Sequence, residues 1–238
     1  MTGCGQADAG GGHHDTTVTV FAAASLTGVL EDAKDEFAKS HPGMEIRLNL
    51  GSSSTLLTQL RNGAPGDVFA SADERTMQDA AKAGLTDGEP RVFARNTLSL
   101  LVRKGNPDKI KGLNDLSRPD LTVSLCGPQV PVGRYARQAL AKAGVRASDG
   151  GQELDVKQVV SRVTMGEADV GIVYRTDALA AKGKADGIAI PDAQNVEARY
   201  PVGVLKGGNT EGARMFTDFL LSEDGRRILT DHGFLAPQ

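Results

Sequence analysis

TVTVFAAASLTGVLEDAKDEFAKS, residues Thr17 to Ser40, decides the fold class. Thr17 to Ala23 is β-branched and apolar, the composition of a buried strand. After Ser25, the residues Leu26, Val29, Leu30, Ala33 and Phe37 recur at helical spacing. Strand, turn and helix follow one another, and Pro42-Gly43 ends the unit. It then repeats. Met44 to Leu50 alternates apolar and polar residues as a strand, and Ser52-Ser53-Ser54 leads into TLLTQLRNG, closed by Gly63. A third short strand spans Asp67 to Ala70, and Ser71-Ala72-Asp73 precedes a helix from Glu74 to Ala83, ended by Gly84. Strands alternating with helices at this spacing argue for α/β sheets with mostly parallel strands and right-handed crossovers.

Further along, Val92 to Val102 holds two apolar stretches around Arg95-Asn96-Thr97, as expected of extended chain leaving one sheet for another. Leu113 to Leu116 begins a short turn, and Leu121 to Leu125 is a strand. Pro131 stands near the start of a helix through Tyr135, Ala139 and Leu140. Asp155 can cap a helix from Val156 to Met165, and Asp169 to Tyr174 is a buried strand. Tyr200 to Leu205 is extended again, and helices over Glu211 to Leu221 and Glu223 to Asp231 return the chain to the first domain. The expected architecture is two α/β lobes joined by two extended hinge segments: a flexible tether over 1–16, a first lobe from 17–95 and 201–238, and a second over 96–200. Such lobes bind ligands beyond the carboxyl ends of their strands, and the cleft between them can close by hinge motion.

Composition narrows the function classes. The 238 residues are 39% hydrophobic and 24% charged, enough apolar material for a core. A net charge of -3 without a basic block gives no nucleic-acid footprint. No apolar run reaches the ~18 residues of a spanning helix. Only Cys4 and Cys126 are present, which allows one bridge at most and no four-cysteine metal site. Met1-Thr2-Gly3-Cys4-Gly5 resembles the end of a bacterial lipobox, so Cys4 is a candidate for lipidation, with a chance cysteine as the alternative. His13-His14-Asp15 reads as solvated tail sequence in preference to a metal site.

Chemistry gathers at the strand-to-helix turns: Ser25, Ser52 to Ser54, Pro131-Val132-Gly133 and Asp155-Val156 all open candidate helices. A helix N-terminus offers unpaired N–H groups and the positive end of a dipole, and a serine hydroxyl adds one more donor. Several converging on one cleft make an anion site that needs no Lys or Arg. On the residues alone, Ser25 and Ser53 also read as N-caps, and Tyr174 as core with its hydroxyl satisfied locally.

At these positions the chain resembles the periplasmic molybdate-binding proteins of ABC importers, within the two-lobed solute-binding proteins of type II fold. The matching motifs are FAAASL (Phe21 to Leu26), SSSTL (Ser52 to Leu56), GAPGDVFASAD (Gly63 to Asp73), VPVGRYA (Val130 to Ala136) and GIVYRTDA (Gly171 to Ala178). They follow the family's order from Thr17 onward. The resemblance implies that molybdenum is held as the molybdate oxyanion through Ser25, Ser53, Val132, Val156 and Tyr174. The serines donate hydroxyl and N–H, the valines N–H only, and Tyr174 its phenol. Val132 departs from the family's alanine, but the implied contact is main-chain. The resemblance further implies a monomeric extracytoplasmic receptor, lipid-anchored through Cys4, that passes molybdate or tungstate to a membrane permease, needs no cofactor and performs no chemistry. Asp67 and Asp73 are left as structural groups that cap or bond loop amides, since a carboxylate near a dianion repels it.

Two alternatives stand beside this reading. One is a receptor of the same architecture for sulfate or another small oxyanion. The other is an enzyme on a related scaffold, but no G-x-S-x-G elbow or P-loop occurs, and outside the tail the only histidines are His41 and His232. Cys126 lacks an evident histidine partner and reads as a small buried hydrophobe.

Overall fold

Parallel strands placed side by side bring their carboxyl ends to one edge, and this arrangement occurs twice. The computed structural model describes residues 16–148 and 152–237. Cys4, His13, His14 and nearly all of the expected tether lie outside the described residues. In the first lobe β1 (Thr17–Ala23) lies between β2 (Glu45–Gly51) and β3 (Val68–Ala70), parallel to both. The connecting helices are α1 (Thr27–Ser40), α2 (Ser53–Arg61) and α3 (Glu74–Lys82), each within a residue or two of its expected bounds. In the second lobe β5 (Val123–Cys126) pairs in parallel with β6 (Gln152–Glu153) and β7 (Val170–Tyr174). Its helices α4 (Pro131–Ala143) and α5 (Val156–Thr164) follow β5 and β6.

Two long strands tie the lobes together. The first half of β4 (Arg91–Arg103) pairs with β9 (Glu197–Val204), and its second half lies between β7 and β8 (Ala185–Ala189). β9 continues to the edge of β3, giving the order β2-β1-β3-β9-β4-β7-β5-β6. Of the pairings among strands, half are antiparallel, and each of these involves β4 or β9. The expectation of mostly parallel strands therefore holds within the lobes and fails at the crossing segments, which run back against their neighbours. β8 and the six-residue α6 (Arg175–Ala180) had no signal in the sequence, since ADGIA and RTDALA are too short to show a period.

The core explains the closing helices. Phe37 of α1 is fully buried and meets Phe216 and Phe219 of α7 (Thr210–Leu221) edge-on, with centroids 5.3 and 5.5 Å apart. α8 (Glu223–Asp231) packs against both α1 and α7. Asp67 accepts from the N–H groups of Thr19 and Asn209 at 2.6 Å each, joining β1 to the start of α7. That is the loop-bonding role expected of it. No helix among the described residues is long and apolar enough to cross a membrane.

Candidate functional site

The carboxyl ends of β1, β2 and β3 face those of β5 and β7 across the interlobe cleft. Ser25 sits in a 3-10 turn (Ala24–Leu26) after β1, Ser53 is the first residue of α2, and Tyr174 is the last of β7. Val132 lies in the first turn of α4, and Val156 opens α5. All five border one cavity, together with Ser52, Ala72 and Asp155. The cavity is small, about 20 Å³.

Three helix N-termini converge here, each with first-turn N–H groups that have no acceptor in their own helix. Side-chain caps take only part of them. Ser52 Oγ accepts from Thr55 N–H at 3.2 Å, and Asp155 accepts from Gln158 N–H at 3.1 Å. α4 has no side-chain cap, and Pro131 at its start has no N–H to satisfy. The capping role expected of Asp155 is observed. The N-cap reading of the serine run falls on Ser52, not on Ser53.

The hydroxyls are arranged to donate. Ser53 Oγ accepts from Ala72 N–H at 2.9 Å, which leaves its own proton available. Ser25 Oγ lies 3.1 Å from the Tyr200 hydroxyl, where either group can donate. Tyr174 has 1% exposure, and its hydroxyl has no hydrogen-bond partner in the protein. Its ring packs edge-on to Tyr200, with centroids 5.6 Å apart. A buried hydroxyl left unpaired costs about 1–3 kcal/mol, so this donor points to an acceptor that the protein itself does not supply.

No carboxylate faces the cavity free. Asp155, the one acidic residue at its border, has one oxygen on Gln158 N–H and the other 3.3 Å from Gln158 Nε2. Donors therefore dominate, and the site suits an anion that accepts hydrogen bonds and donates none. Among the described residues no group of three or more His, Cys, Asp or Glu could hold a metal cation. The enzymatic candidates sit elsewhere. Cys126 is buried, and burial pushes its thiol up, away from the reactive thiolate. His41 stacks on Phe37, and His232 Nε2 meets Asp32 at 2.7 Å on the α1–α8 surface.

Burial holds both Tyr174 and Tyr200 well above the ordinary tyrosine range, so both stay protonated donors at any physiological pH. The sign for stability follows. Above about pH 10 the unfolded chain loses these protons while the folded chain keeps them, so stability falls as pH rises, by about 1.4 kcal/mol per pH unit for each tyrosine. Denaturant titrations between pH 8 and 11 should decline gently from about pH 9, where the unfolded Cys126 thiol ionises and the buried one does not, and more steeply above about pH 10 as the tyrosines join; a plateau through pH 11 would contradict the buried, neutral state.

Tyr200 entered the sequence reading only as the first residue of an extended segment. Its run RYPVGV carries only the signature of an extended segment, and nothing in it marks a hydroxyl that reaches Ser25.

The model of the family described as bacterial extracellular solute-binding protein matches residues 18–235. The Molybdate-binding protein ModA of Mycobacterium bovis is 40% identical over 222 residues, covering 93% of this chain and 85% of the relative. The structure of the Azotobacter vinelandii periplasmic molybdate-binding protein superposes with a TM-score of 0.77 at 23% identity, covering 93% of this chain and all of the other. The sulfate-binding protein SubI of Mycobacterium tuberculosis superposes at 0.83 with 19% identity, covering 92% and 86%. At those identities the two structures establish the fold alone.

Proposed function

The chain belongs to the bacterial extracellular solute-binding protein family, and from that premise we propose that it captures molybdate, and tungstate with it, between its lobes and delivers the anion to an ABC importer. The observation that carries this reading is the small interlobe cavity bordered by Ser25, Ser53, Val132, Val156 and Tyr174, with an unpaired buried phenol among its donors. A cavity of about 20 Å³ is far below the ~300–1,000 Å³ of pockets for larger organic ligands. One compact ion fits it.

Molybdate, tungstate and sulfate are fully deprotonated dianions at neutral pH and accept from every direction. Hydrogen phosphate carries a proton that needs an acceptor, and with Asp155 engaged by Gln158 the mismatch costs about 1–3 kcal/mol. The serines supply hydroxyl and N–H, Val132 and Val156 their N–H, and Tyr174 its phenol. Ser25 and Ser53 belong to a first lobe of residues 17–95 and 201–238, and the other three to a second of 96–200. An anion that touches both lobes stabilises the closed form by differential contact, and the closed form is what the permease reads. The protein works as a monomer outside the cytoplasm, lipid-anchored through Cys4, as a receptor and not as a catalyst.

Calorimetric titration tests this, after co-purified anion is stripped by partial unfolding and refolding. Molybdate and tungstate should bind one-to-one, with phosphate silent and sulfate much weaker. Equal binding of sulfate would move the assignment to a general oxyanion receptor, a reading that the shared fold with a sulfate-binding protein keeps open. Silence from all four anions would overturn it.

A further inference from the structure

At the edge of the cavity one side chain spans the cleft. Arg134 projects from the first turns of α4, two residues beyond Val132, and reaches Asp73 at the start of α3 in the opposite lobe. Its Nε lies 3.2 Å from Asp73 Oδ2, and Nη2 donates to the same oxygen. Nη2 also reaches Thr76 Oγ1 at 2.9 Å, and Nη1 donates to the Gln129 carbonyl of its own lobe. The guanidinium is thus held on one side by the loop that leads into α4 and grips α3 on the other. Both ends are enclosed, with side-chain exposures of 17% for Arg134 and 4% for Asp73.

We propose that Arg134 is the positioning residue that latches the cleft: by gripping Asp73 and Thr76 across the lobes it holds the α4 terminus over the anion and sets how long the anion is retained. This rests on the oxyanion-receptor reading of the same cavity. The latch acts at two points. It adds interlobe hydrogen bonds that exist only when the lobes meet, so it favours the closed form. It also neutralises Asp73, whose neighbour Ala72 borders the cavity and bonds Ser53 Oγ. Without the guanidinium the buried Asp73 carboxylate keeps its capping bond to Thr76 N–H, but its charge stands uncompensated one residue from the cavity, so both effects weaken retention.

The two parts separate in a double-mutant cycle. Arg134→Ala removes the grip and exposes the anion to Asp73, and Asp73→Asn removes the repelling charge while an amide oxygen can still cap α3. Stopped-flow tyrosine fluorescence with molybdate gives both rate constants in a chain that has three tyrosines and no tryptophan. Arg134→Ala should weaken binding by about 10- to 100-fold, almost entirely through faster dissociation. Arg134→Lys should fall between it and wild type, because a point charge replaces the fork. Arg134→Ala/Asp73→Asn should hold molybdate more tightly than Arg134→Ala alone, a reversal that loss of packing does not produce. Unchanged dissociation in Arg134→Ala, or strictly additive losses in the double variant, would overturn the latch. If the wild type does not bind molybdate, the receptor reading fails and small-angle scattering of the anion-free proteins decides the latch. A larger radius of gyration in Arg134→Ala than in wild type then supports it, and equal radii overturn it.

Discussion

Gly133→Ala should cost about 3 kcal/mol of folding stability and weaken molybdate binding by roughly 100-fold or more, the largest effect expected of a one-carbon change in this chain. Gly133 lies in the first turn of α4, where the helix runs against the end of β5. A Cβ there would overlap the carbonyl oxygen of Gly127 and lie 2.6 Å from that of Cys126. These are backbone atoms with no room to yield. Gly127 N–H donates to Glu153 O at 3.0 Å, and its carbonyl accepts from Val130 N–H at 3.1 Å. Cys126 lies in a strand paired on both sides through its lobe, and its carbonyl also accepts from Arg137 at 2.9 Å. The helix must therefore retreat, carrying Val132 N–H and the Arg134 grip away from the cavity. Val132→Ala is the matching control, since its contact is main-chain and affinity should stay within about threefold. Urea unfolding and calorimetry on both variants check this; a Gly133→Ala protein with wild-type stability and affinity would show that the α4 terminus is not fixed by this packing.

The same glycine shows how far the sequence could be read. The strand–helix order of the first lobe followed from period and turn chemistry, because TVTVFAA, SSSTLLTQLRNG and the Asp73 cap each carry their signal within a dozen residues. The crossing strands were legible as extended chain, but their antiparallel pairing was not, since pairing direction depends on partners a hundred residues away. At the site, periodicity alone left Ser25 and Ser53 as caps and Tyr174 as core. Only the family resemblance singled out Val132, in VPVGRYA, and Val156, in LDVKQ, whose side chains carry no chemistry. Tyr200 and the Arg134–Asp73 pair escaped because each matters through a contact across the cleft, and a sequence without that contact shows only an ordinary tyrosine and an ordinary ion pair. Asp73 was read as a cap, and it is one, with Thr76 N–H at 3.1 Å; its second partner is what the fold adds.

Among the donors, Ser53→Ala, Ser25→Ala and Tyr174→Phe should each weaken molybdate binding by about 10- to 100-fold, the range for one hydrogen bond to a charged group. Their effects on the empty protein should differ in sign, and this difference is the sharper test. Ser53→Ala removes the acceptor of Ala72 N–H, and Ser25→Ala removes the partner of the Tyr200 hydroxyl. Each takes a hydrogen-bond partner from a buried polar group, so each should lower anion-free stability by about 1–2 kcal/mol. Tyr174→Phe removes a hydroxyl that already has no partner, so the anion-free protein should be as stable as wild type or more stable by about 1 kcal/mol. A donor kept at a cost to the empty fold makes sense only where a ligand completes it. Thermal unfolding with and without molybdate reads both quantities at once. For Tyr174→Phe the midpoint without anion should hold or rise while the shift caused by molybdate shrinks. A fall in the anion-free midpoint with an undiminished molybdate shift would return Tyr174 to the role of a core tyrosine and remove it from the site.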